Sequence, residues 1–175
     1  MEGCVVECGV WNGGSAAMLG SISSMHKSDR DLWLFDSFEG LPEPTKHDVL
    51  ITGKMSKAGA ALGDESLVRE VCLSKAKLPP AKVHIVKGWF EDSMPKTLSQ
   101  IDTIAILHLD CDLYESVTYC LEKLYDKVTE GGIVVVDDYG YFKGCKKAVD
   151  EFLQKKNIPT YIVKTKECAV YFRKV

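Results

Sequence analysis

Short, almost wholly apolar runs alternate along this chain with stretches whose apolar positions recur every three or four residues, and acids or glycines punctuate the junctions. That alternation predicts an α/β domain with a mostly parallel sheet and crossover helices. Cys4–Cys8 is the first buried strand, followed by a glycine-rich turn at Gly9–Gly14 and a helix from about Ser15. The periodicity puts Met18, Leu19, Ile22 and Met25 on that helix's inward stripe. Leu32–Phe35, Val83–Val86 and Ile104–Leu109 are the next strands, closed by Asp36, Gly88 and Asp110. Ile133–Val136 is fully apolar and therefore central, and it ends at Asp137-Asp138.

Between the strands, a helix is predicted from Glu65 to Lys77 with Asp64 as its N-cap. A second, amphipathic helix carries Val117, Cys120, Leu121, Leu124 and Val128 on one face and is predicted to end at Gly131-Gly132. A third runs from about Cys145 to Lys155, with Ala148, Val149, Phe152 and Leu153 inward. Thr160–Val163 and Cys168–Arg173 are separated by only four residues, too few for a crossover, so they must be antiparallel. Gly40–Gly63 has no period and is rich in Gly and Pro, the mark of a lid or binding loop.

Composition narrows the field of partners. The 175 residues are 46% hydrophobic and 27% charged, with a formal net charge of −3, which suits one globular domain spanning 1–175. An acidic balance argues against a nucleic-acid footprint or an anionic membrane surface. No leader pattern follows Met1-Glu2-Gly3, and the charge-free stretch Cys8–His26 is too polar to span a bilayer, so the expected location is cytoplasmic. The seven cysteines include no CxxC pair. Cys4 and Cys8 would lie on one strand face about 13 Å apart, too far for a disulfide. Buried thiols in a reducing compartment account for them.

The candidate chemistry collects at the strand C-termini, the edge where open α/β sheets bind ligands. Glu7 precedes Gly9-Val10-Trp11-Asn12-Gly13-Gly14-Ser15, a turn whose glycines admit a ligand close to the backbone. The spacing is not GxGxxG. Asp36, closing the second strand, is placed to accept hydrogen bonds from a ribose, and together these features point to an adenosine-containing cofactor. Asp110-Cys111-Asp112 and Asp137-Asp138 end neighbouring strands, so four carboxylates converge on one small volume. Their mutual repulsion calls for a hard cation such as Mg²⁺ or Ca²⁺. Trp89 follows Gly88, where an aromatic can pack on an adenine; His108 suits a satisfied core position better than a ligand; His47 falls in the loop.

The chain resembles the macrocin O-methyltransferase family, whose better-known members methylate sugar hydroxyls. The resemblance is carried by Val6-Glu7-Cys8-Gly9-Val10-Trp11 with Gly13-Gly14-Ser15, by Leu34-Phe35-Asp36-Ser37-Phe38-Glu39-Gly40-Leu41-Pro42, and by Val86-Lys87-Gly88-Trp89-Phe90-Glu91-Asp92. Leu109 through Ser116, Val136 through Gly140 and Gly144 through Asp150 extend it over nearly the whole chain. It implies a Rossmann-like class I methyltransferase fold: a mostly parallel seven-stranded sheet with a C-terminal antiparallel hairpin. It further implies an S-adenosylmethionine pocket lined by Glu7, Gly9, Ser15, Asp36 and Trp89. Asp110, Asp137 and Asp138 would hold Mg²⁺, and Asp112 matches the position of a general base. The expected partner is a small hydroxylated molecule, a sugar or other polyol-like metabolite. Family members carry a helical N-terminal extension, whereas the first strand here begins within four residues of Met1. A catalytically silent binding module or fragment with the same fold is the alternative reading, and a homodimer that completes the site stays open.

Overall fold

The computed structural model describes residues 1–165 and 167–175. Seven strands form one sheet in the order β3-β2-β1-β4-β5-β7-β6. β1 (Cys4–Cys8), β2 (Leu32–Asp36), β3 (Val83–Lys87), β4 (Ile104–Leu109) and β5 (Val128–Val136) run parallel. β6 (Val163–Lys164) and β7 (Val170–Arg173) pair antiparallel, and β7 also pairs antiparallel with β5. The predicted hairpin is therefore present, although shorter than Thr160–Val163 and Cys168–Arg173 suggested.

Alternate residues of each strand feed two cores. Val6, Cys8, Phe35, Leu107, Leu109, Val134 and Val136 pack on one face beneath α3 (Phe90–Thr97), α4 (Tyr114–Leu124) and α5 (Lys143–Lys155). Val5, Leu32 and Leu34 pack on the other, beneath α1 (Gly14–Met25) and α2 (Glu65–Arg69), which continues as a π-helical turn over Glu70–Lys75. Asp64 caps α2 as predicted, accepting from the amides of Ser66 and Leu67. Among the described residues no helix is long and apolar enough to cross a membrane.

Three expectations need correcting. Most of the stripe on α1 faces outward: Met18, Ile22 and Met25 are exposed, at 58%, 48% and 80%, and only Leu19 packs, partly buried, against the core. The buried residues of α1 are Ala16 and Gly20, and Gly20 sits against Leu78 so closely that a methyl group would collide with it. A helix that packs through its smallest residues turns its large ones away, and periodicity alone does not distinguish the two faces. Secondly, Gly131-Gly132 do not end a helix. α4 stops at Leu124, followed by a 3₁₀ turn over Tyr125–Lys127, and the glycines lie inside β5 where its register against β4 shifts. Thirdly, α3 forms directly after Trp89 with Pro95 inside it, an element its low apolar content conceals.

Candidate active site

The ends of β1, β2, β3 and β4 open onto a cleft of about 350 Å³ whose wall includes Gly9, Trp11, Asp36, Trp89, Asp110 and Asp112. Its floor is built by extending the sheet ladder beyond the strands. Gly9 N–H donates to Phe35 O at 2.9 Å, Gly88 N–H to Asp36 O at 2.9 Å, and Asp110 N–H to Cys8 O at 2.8 Å. Gly9 has φ +85°, and a Cβ there would lie 1.9 Å from Asp110 O, so no other residue fits between the first strand and the fourth.

Asp36 organises the turn. Its Oδ2 accepts from the backbone amides of Val10 at 2.7 Å and Trp11 at 2.9 Å, and its Oδ1 from Phe38 at 2.7 Å. A carboxylate has about four lone-pair sites, so capacity for a ligand hydroxyl remains. Trp11, held at φ +48° by this arrangement, is 57% exposed on the cleft wall. Trp89 lines the opposite side, immediately before α3.

Glu7 and Ser15 take other positions. Glu7 is fully buried and its Oε1 lies 2.8 Å from His108 Nδ1, while Ser15 is half-buried in the first turn of α1; neither reaches the cleft wall. His108 is thus a paired core residue, as the sequence suggested.

Two of the cleft's acids, Asp110 and Asp112, group with Asp138: one ligand atom from each lies within 4.8 Å of the others. Asp137, expected as a ligand, falls outside this trio, and Asp112, expected as the general base, falls inside it. Burial, then the charges of Asp137 and Asp138, push the Asp110 carboxyl up to about 7. Burial pushes Asp112 to about 6 despite a hydrogen bond with Asp138 that opposes the shift. Burial and the charge of Asp112 push Asp138 to about 9, and its Oδ2 is buried with no hydrogen-bond partner. Carboxylates held so far from their ordinary range, with one oxygen orphaned, fit a hard divalent cation that takes oxygen ligands. Asp110, Asp112 and Asp138 would provide the ligand atoms.

The 40–63 loop is ordered around two anchor points. Near the cleft, Gly59 N–H donates to Leu41 O and Leu41 N–H to Ala60 O, and Leu41 and Ala61 line the cleft. Farther on, Leu50 bridges to Phe142, and Asp48 is buried against the starts of α4 and α5. Sequence reasoning missed Asp48, Ser37 and Glu115. A lone acid inside an irregular, polar segment carries no pattern that would single it out.

Comparison with known proteins decides the family: residues 1–174 match the model of Macrocin-O-methyltransferase (TylF). The chain belongs to the macrocin-O-methyltransferase family. It is 36% identical over 179 residues to demethyldecarbamoylnovobiocin O-methyltransferase of Streptomyces niveus, covering 99% of this chain and 67% of that protein. Mycinamicin III 3''-O-methyltransferase of Micromonospora griseorubida is 29% identical over 179 residues, covering 99% and 69%. The chain thus spans about two thirds of the length of the curated relatives it matches. The solved O-methyltransferase NovP superposes with a TM-score of 0.88 at 35% identity, over 99% of this chain and 72% of that one. A putative methyltransferase from Streptococcus mutans, solved in complex with SAH, shares the fold at a TM-score of 0.59 and 12% identity, covering 99% and 89%. Membership places the chain among O-methyltransferases, and the fold implies S-adenosylmethionine as the methyl donor.

Proposed function

We propose that this macrocin-O-methyltransferase-family chain transfers a methyl group from S-adenosylmethionine to a hydroxyl of a sugar or other small polyol-like metabolite, with Mg²⁺ as cofactor. The observation that carries the reading is that one cleft is lined both by the Asp36-braced turn and by Asp110 and Asp112, whose carboxylates group with that of Asp138. A relative from Streptomyces olivaceus, 31% identical over 181 residues, is named for 4'-O-methylation of a rhamnosyl-tetracenomycin, which supports a sugar-bearing acceptor.

When bound, S-adenosylmethionine supplies an electrophilic methyl on a sulfonium, and a divalent cation favours the alkoxide form of the acceptor hydroxyl. The chain's own residues do the rest. Asp36 and the Gly9 turn shape the cofactor end, and Trp11 and Trp89 offer apolar faces that exclude water. Asp110, Asp112 and Asp138 would hold the cation end, with Asp137 next to Asp138 in the chain. A carboxylate of this group is placed to take the acceptor proton, and Asp112, expected from the sequence as the general base, lines the cleft where the acceptor would sit. Holding donor and acceptor in line contributes most of the acceleration, because the sulfonium is already a strong methyl donor.

Calorimetric titration of S-adenosylmethionine with and without Mg²⁺, followed by a methyl-transfer assay on hydroxylated acceptors, tests this reading. Micromolar binding with Mg²⁺-dependent transfer is the expected result. Binding without transfer to any hydroxyl would identify a silent module of the same fold.

A further inference from the structure

Asp48 is 1% exposed yet lies in the middle of the irregular 40–63 loop, with no cationic partner among the described residues. Its Oδ2 accepts from the amide and the hydroxyl of Thr45, at 2.7 and 2.8 Å. Its Oδ1 accepts from the amide of Tyr114 at 2.7 Å. Tyr114 is the first residue of α4, and Leu113 before it provides no side-chain cap. The cap therefore comes from a loop 66 residues earlier in the chain.

The same oxygen is seated against α5, where a Cβ on Gly144 would lie 2.4 Å from it. Backbone bonds fasten the loop on either side: Lys143 N–H to Val49 O and Ile51 N–H to Tyr141 O, both 2.9 Å. Asp48 thus ties together the segment after Asp112 and the segment after Asp138.

Asp112 itself is strained. It has φ +56°, and Leu113 N–H closes a three-residue turn onto Cys111 O at 2.6 Å. Positive φ at the centre of so tight a turn is the hand that L-residues disfavour. Such a conformation persists only where the chain is held on both sides. The Asp110 amide, bound to Cys8 O at 2.8 Å, holds one side. The Tyr114 amide, bound to Asp48, holds the other.

We propose that Asp48 is the positioning residue for Asp112, locking the strained turn so that the order of the loop is coupled to the geometry of the aspartate group. The proposal rests on the reading of Asp110, Asp112 and Asp138 as a cation-binding set. Asp48 touches neither cofactor nor cation; it acts through Tyr114.

The test compares the unmutated chain with Asp48→Ala and Gly144→Ala, using Mn²⁺ as the cation probe. In Asp48→Ala, the Tyr114 amide should exchange with solvent at least about tenfold faster, since its acceptor is gone. Mn²⁺ affinity should fall about ten- to a hundredfold, the cost of losing an outer support of a metal site. S-adenosylmethionine affinity should stay within about twofold, because the Asp36 turn shares no partner with Asp48. Gly144→Ala pushes a methyl into Asp48 Oδ1 and close to His47 O, so displacement of Asp48 predicts weaker Mn²⁺ binding, whereas a purely structural role predicts lower stability with Mn²⁺ affinity unchanged. Should Asp48→Ala not fold, Gly144→Ala and Asp48→Asn carry the same comparison. Equal Mn²⁺ affinity in the variants and the unmutated chain overturns the proposal while leaving the proposed function intact. Failure of the unmutated chain to bind Mn²⁺ overturns the cation reading, and this proposal with it.

Discussion

Glu7 Oε1 lies 2.8 Å from His108 Nδ1 across the β1–β4 pair, with the carboxylate entirely out of solvent. Burial alone would lower the His108 pKa. The hydrogen bond to Glu7 and the charges of Glu7, Asp110 and Asp137 outweigh it and leave His108 raised. Glu7→Gln keeps the shape and removes the charge, so His108 should titrate at lower pH in the variant. A histidine NMR titration reads the shift, and an unchanged midpoint would show that Glu7 does not set the charge of its partner.

The aspartate trio makes stability depend on pH in an unusual direction. Ordinary carboxylates titrate near 4, whereas Asp112, Asp110 and Asp138 stand at about 6, 7 and 9 in the folded chain. A raised folded pKa means that the folded state holds its protons more tightly than the unfolded one. The resulting stabilisation is complete below about pH 4 and is lost as pH climbs through 6 to 9. Without a divalent cation, the melting temperature should fall across that window. Mg²⁺ or Mn²⁺ should restore it, more strongly at pH 8.5 than at pH 5.5, because ligation needs the ionised form. Differential scanning calorimetry at the two pH values, with and without the cation, checks both signs.

Gly9→Ala should be among the most damaging single changes in the chain. The new methyl would meet a backbone carbonyl of Asp110, which cannot swing away as a side chain can, at a φ of +85° that disfavours alanine. A cost of about 3 kcal/mol or more is expected. Chemical denaturation would measure it, and a loss below about 1 kcal/mol would mean that the turn and the Asp110 segment separate easily.

Asp36→Ala deprives three backbone amides of their acceptor at once. Hydrogen bonds to a charged group contribute about 1.5–3 kcal/mol each, so S-adenosylmethionine affinity should fall at least about tenfold as the turn loosens. Asp36→Asn should lie between the variant and the unmutated chain. Isothermal titration distinguishes the three, and equal affinities would remove Asp36 from the cofactor site.

Fold and site were not equally legible in the sequence. β1, β2 and β4 declare themselves because a parallel strand buried on both faces must be an apolar run, and the acids at or near the ends of such runs stand out against it. α1 misleads because its packing face is Ala16 and Gly20. β5 extends back to Val128 through glycines that read locally as a helix stop, and only the pairing with β4 reveals the bulge. Within the site, Asp36 and the aspartate pairs follow from strand ends, but which carboxylates share an oxygen-sized volume depends on the turn at Asp112. That positive φ is set by tertiary contacts, Asp48 among them, and leaves no local signature. Glu7 shows the converse: a residue placed in the cofactor pocket by resemblance proves to be buttressed below it by His108.

The insertion of β7 between β5 and β6 orders events during synthesis. β5 gains its second neighbour only when Val170–Arg173 has emerged, so its edge stays unpaired while nearly all of the chain is being made. The turn end of the cleft waits too, because Gly9 packs against Asp110 and Cys8 O accepts from the Asp110 amide after β4. Asp137 and Asp138 hang from the end of the strand that is clamped last. The aspartate end of the cleft is therefore complete only once the last strand pair has closed on β5.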